Sequence, residues 1–92
     1  MNQDQAEAIA LDALGFIIQD EALRGRFLDL TGAGPADLRD RLSDSTFLAA
    51  IIEFLLGDEP CLLEFCKAAE IDPQLPARAH IVLAGHPAEQ WG

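Results

Sequence analysis

The chain has 92 residues, half of them hydrophobic, with 16 acidic residues against 6 basic ones and a net charge of −10. That length fits one small domain, and that apolar content excludes an intrinsically disordered chain in spite of the charge. A surface so negative repels phosphate backbones and anionic headgroups, which disfavours nucleic acid and membrane as partners.

Asp4 is a plausible N-cap for a first helix running to about Ile18. At 100° per residue, Ala6, Ile9, Ala10, Ala13, Leu14, Phe16, Ile17 and Ile18 sweep an apolar arc of roughly 200°. An arc that wide demands several covering neighbours or a second subunit. Asp20 then caps a short helix to Leu30, with Leu23, Phe27 and Leu30 on one buried stripe. In Thr31-Gly32-Ala33-Gly34-Pro35, Gly32 suits the left-handed position after a helix, and Pro35 suits the first position of the next. The third helix, Pro35 to about Leu42, buries Leu38 and Leu42.

Asp44 or Ser45 caps a fourth helix that stops at Gly57. Its apolar arc of about 160° holds Phe47, Leu48, Ile51, Ile52, Phe54 and Leu55, with Ala49 and Glu53 on the outer side. This is the expected centre of the core. Asp58 caps a fifth helix that tolerates Pro60 in its first turn. Leu62, Phe65 and Ala69 form its buried stripe, flanked by Cys61 and Cys66. After a break at Asp72-Pro73-Gln74-Leu75-Pro76, a last helix from about Pro76 to Ala84 buries Ala79, Ile81, Val82 and Leu83. No segment alternates as a half-buried strand does. The predicted fold is all-α: a single compact bundle of five or six short helices over residues 1–85, followed by a loose tail, 86–92.

The opening residues lack the basic stretch and cleavage site of a signal peptide. The longest apolar segment, Thr46 to Leu56, has 11 residues and includes Glu53, against about 20 needed to cross a bilayer. Both point to the cytoplasm, where two cysteines read as reduced thiols.

The segment from Phe27 to Leu38 resembles a helix-hairpin-helix, in which a hydrophobic-x-Gly-x-Gly turn joins two helices. In that family the backbone amides of the turn bind a DNA phosphate, which is anion binding at a helix N-terminus. Four of the six basic residues, Arg24, Arg26, Arg39 and Arg41, flank the turn. The alternative nucleic-acid site is therefore Gly32 and Gly34 with Arg39 and Arg41. Charge opposes it, because Asp20 to Leu42 still carries a net −1. Ala36 and Asp37 stand where the family has a basic residue, and Asp37 competes with a phosphate for the same helix N-terminus.

Cys61 and Cys66 lie about 140° apart on a regular helix, too far around it to hold one metal. His80 and His86 straddle Gly85, and nothing has the paired spacing of a structural zinc site. Asp58, Glu59 and Glu64 oppose a reactive thiolate at Cys61, which weakens a redox or enzymatic role there. Ser43 and Ser45 fit capping or turn positions rather than a triad, and no glycine-rich phosphate loop follows a strand. No catalytic residue, metal or cofactor is predicted.

Two further segments, Leu30 to Arg39 and Phe47 to Leu56, are distinctive in combination. Through them the chain resembles an uncharacterised alphaproteobacterial family, domain of unknown function number 3572, over nearly its whole length, from about Asp4 to Gly85. The resemblance implies a small bacterial helical protein with no established activity, cofactor or site. Together the features predict a small protein-interaction module, an adaptor or a homodimer, with another protein or itself as partner and uncovered apolar surface on the first and fourth helices as the contact. They assign no partner-binding residues.

Overall fold

The computed structural model describes residues 1–85. Six helices follow in order: α1 (Gln3–Gln19), α2 (Glu21–Thr31), α3 (Pro35–Arg41), α4 (Ser45–Leu56), α5 (Glu59–Ala69) and α6 (Leu75–Leu83). There is no strand among the described residues, and none of the helices is long and apolar enough to cross a membrane. The tail expected over 86–92 lies outside the described residues.

Short polar side chains start most of the helices, each satisfying amides that a helix N-terminus leaves open. Asn2, rather than Asp4, begins α1. Its Oδ1 accepts from the Gln5 amide at 2.8 Å while its own amide donates to Gln5 Oε1 at 3.1 Å. Asp4 falls inside the first turn, where its charge still favours the helix dipole. Asp20 caps α2 by accepting from the amides of Ala22 and Leu23. Asp44, the first of the two expected candidates, caps α4 through the Thr46 amide, and Asp58 caps α5 through the Cys61 amide.

The ends divide into expected and unexpected ones. Gly32 closes α2 in the left-handed region at φ 70°, its amide donating to the Leu28 carbonyl at 2.9 Å. Helix α5 closes in the same conformation on Glu70, at φ 57°, with the Ile71 amide donating back to the Cys66 carbonyl at 3.0 Å. An L side chain is strained there, and the tie to Cys66 holds it in place.

α1, α4 and α6 pack together as the centre of the molecule, with α2 against α1 and α4, and α5 against the same two helices. The wide apolar arc of α1 is thus covered by neighbours within the chain. Ala6, Ala10, Ala13 and Ile17 on it are fully enclosed. Gln3 Nε2 donates to Ser45 Oγ at 3.0 Å and ties the starts of α1 and α4 together. Edge-to-face aromatic pairs fasten the outer helices: Phe16 of α1 with Phe65 of α5, and Phe27 of α2 with both Phe47 and Phe54 of α4.

Several expected burials differ, among them Leu62, Ala69 and Val82, which are half-buried against the core rather than enclosed in it. Ala49 is buried rather than on an outer side, because α4 is packed on by four other helices. Ile18 and Ile81 are exposed, lying at the rim of arcs that their neighbours cover only in part. Leu38 and Leu42 are half-buried, since α3 leans on the edge of the core instead of entering it.

The two left-handed helix ends predict opposite stabilities. Glu70→Gly relieves the strain of an L residue and raises the unfolding free energy by about 1 kcal/mol, whereas Gly32→Ala creates the same strain and lowers it by about 1 kcal/mol. Urea denaturation followed by circular dichroism checks both signs.

Candidate functional site: a groove between α2 and α4

The groove lies between α2 and α4. On α4, Ala50, Glu53 and Phe54 line it, with Gly57 just past the helix end, at a helical spacing of three and four residues. That spacing spans two turns, about 10 Å along the helix. On α2, Phe27 provides a buried floor and Leu30 stands at the edge. The volume is about 400 Å³.

Leu30 is 74% exposed, the largest fraction for any large apolar side chain among the described residues. Its place on the Leu23–Phe27 stripe predicts burial, and the structure overturns this. The Phe27 ring meets Phe47 and Phe54 at 5.9 and 5.5 Å. Leu30 lies nearly one turn further along, and among the described residues the groove is lined from α2, α4 and the α4–α5 turn.

The rim is charged. Arg26 lies over the Phe54 ring at 5.5 Å and pairs with Asp58 at 3.5 Å. Glu53, exposed as expected, serves two neighbours: it lines the groove, and its Oε2 lies 3.4 Å from His80 Nε2 of α6. Glu53 and Asp58 on the lining outnumber Arg26, so the groove shares the negative sign of the whole chain.

At the α2–α3 turn, the Gly34 amide donates to Asp37 Oδ2 at 3.2 Å. The carboxylate thus occupies the N-terminus of α3, where a phosphate would have to bind. Three of the four flanking arginines are engaged within the fold. Arg24 donates to the Ile18 carbonyl at 3.2 Å, Arg26 pairs with Asp58, and Arg41 lies over the Phe47 ring at 5.5 Å. Gly32 and Arg39 are exposed.

Cys61 lies beside Asp58, and Cys66 is buried further along α5. Burial pushes the Cys61 thiol above its ordinary range, and its hydrogen bond to Asp58 and the charges of Asp58 and Glu64 push it further, with Arg26 opposing. Burial also raises Cys66, helped by the charge of Asp72. In turn, the Cys61 thiol and then its backbone amide, both donating to Asp58, hold that carboxyl below the usual range. No three His, Cys, Asp or Glu side chains converge on one metal position among the described residues.

These features define a small all-helical protein carrying an apolar, acid-rimmed groove. It belongs to the family described as Protein of unknown function (DUF3572), whose sequence model matches residues 3–86. No curated protein and no solved structure matches the chain.

Two outcomes follow from this geometry. Both thiols keep their protons to higher pH in the folded state than in the unfolded chain. Their contribution to stability is therefore complete below the ordinary thiol range, near pH 8.5, and is lost as pH rises through the raised folded values. Alkylation of native Cys61 should show a midpoint above that range, and Asp58→Asn should lower the midpoint by removing the adjacent negative charge. Separately, fluorescence anisotropy with duplex or single-stranded DNA at about 50 mM salt should give no saturable binding. Binding that appears there and is lost in Arg39→Glu would restore the turn as a phosphate site.

Proposed function

We propose that this protein is an interaction module that docks another polypeptide in the α2–α4 groove. The observation that carries this reading is Leu30, 74% exposed beside the half-buried Phe54 ring at a concave and largely apolar surface. Burying a leucine of this kind stabilises a complex by about 1.5 to 3 kcal/mol. Leaving it in water brings the isolated chain no benefit. The charge of −10 keeps a chain with exposed apolar groups soluble until the partner arrives.

A photo-crosslinking residue placed at Leu30 in the native cell tests the proposal, with the same residue at Leu63, exposed on α5, as the control. Position 30 should give discrete polypeptide adducts that position 63 does not, and Phe54→Ala should suppress them. No adduct from position 30, or the same adducts from both positions, would overturn it.

A further inference from the structure

We infer that the occupant of the α2–α4 groove is a basic amphipathic helix of a partner protein, presenting two apolar side chains one turn apart between lysines or arginines. The inference rests on the docking role proposed for this groove and specifies the partner.

Length sets the first part of the match. The α4 wall runs about 10 Å from Ala50 to Gly57, whereas successive apolar residues on one helix face lie about 5.4 Å apart. The groove therefore seats two such residues, one over Phe27 and Phe54 and one against Leu30. Helix-in-groove binding uses anchors of this i, i+3 or i+4 kind.

Charge sets the second part. Glu53 and Asp58 line the groove, and Asp29 is exposed next to Leu30 in sequence. The site already demonstrates how it treats a cation. Arg26 rests on the Phe54 face, 5.5 Å from its centroid, with Asp58 3.5 Å away. An aromatic face beside a carboxylate accommodates a guanidinium or an ammonium. Glu53 provides a second carboxylate, 3.4 Å from His80 Nε2. A second copy of this chain would bring a further −10 to an already negative rim, so charge disfavours it as the occupant. The cleft between α1 and α6 is larger, about 460 Å³, but Met1, Gln5, Ala8, Ile9, Leu75 and Arg78 give it neither an aromatic wall nor a carboxylate.

The test titrates the isotope-labelled protein with a synthetic leucine–lysine amphipathic helix, and separately with its leucine–glutamate counterpart, reading amide shifts and affinity. The lysine helix should shift amides along Arg26–Thr31 and Ala50–Asp58, and the glutamate helix should not bind. Leu30→Asp should weaken binding about tenfold or more, and Glu53→Lys about three- to tenfold with a shallower salt dependence. Leu11→Asp, an exposed site on α1, should leave it unchanged. Both Leu30 and Leu11 are exposed, and the amide spectrum of each free variant verifies its fold. Shifts centred on other helices, equal affinity for Leu30→Asp, or binding of the glutamate helix would overturn the inference. The crosslinked segment recovered from position 30 gives an independent check. A basic amphipathic sequence supports the inference, while a second copy or an acidic segment refutes it and leaves the docking role of the groove intact.

Discussion

The molecule depends on the close packing of α1 against α6 and α4. Ala6, Ala10 and Ala13 make this possible, because a face without bulk lets neighbouring helices approach closely. Ala79 of α6 is likewise fully enclosed. Around this centre the larger side chains, Ile17, Leu48, Ile51, Ile52 and Leu55, fill the remaining space, and no polar or charged side chain is buried among the described residues. Nothing in the interior therefore needs a special partner. The chain's polar chemistry is carried at its surface and at its helix ends.

The groove follows from how α2 is attached to that centre. α2 packs against α1 and α4, and Phe27 is its main anchor, meeting two aromatic rings of α4. Beyond Phe27 the helix continues for one more turn to Thr31, and Gly32 then turns the chain away. Leu30 is left exposed on that last turn, with α4 beside it. The same geometry puts Arg26 and Asp58 at one end and Glu53 along the side, so an exposed apolar surface is bordered by charge.

The turn between α2 and α3 illustrates how one motif supports two interpretations until its hydrogen bonds are known. Glycine spacing and flanking arginines have the form of a phosphate-binding hairpin. The fold uses the same features internally: Gly32 ends a helix, Asp37 satisfies the Gly34 amide, and Arg41 covers the Phe47 ring. Cys61 is a similar case. A thiol near a helix N-terminus is often activated, yet here burial and the Asp58 carboxylate act together to keep it protonated.

Much of the architecture was legible in the amino-acid order because it is local. The six helices, the caps at Asp20, Asp44 and Asp58, the left-handed Gly32 and the outward Glu53 follow from short-range rules of periodicity and capping. Where several local solutions compete, the order was less decisive: Asn2 outdid Asp4 as a cap, and a glutamate rather than a glycine closes α5. Periodicity places a side chain on a face, but not what that face meets. Ala49 and Leu30 were therefore assigned to the wrong sides of the surface. Ala49 is covered because α4 is central, and Leu30 is bare because α2 ends beyond its contact with α4. That the chain is acidic, helical and apolar enough to fold follows from amino-acid order and composition alone. Which apolar residues remain in water, and which charges stand beside them, is settled by helix packing, since burial depends on residues distant in the chain.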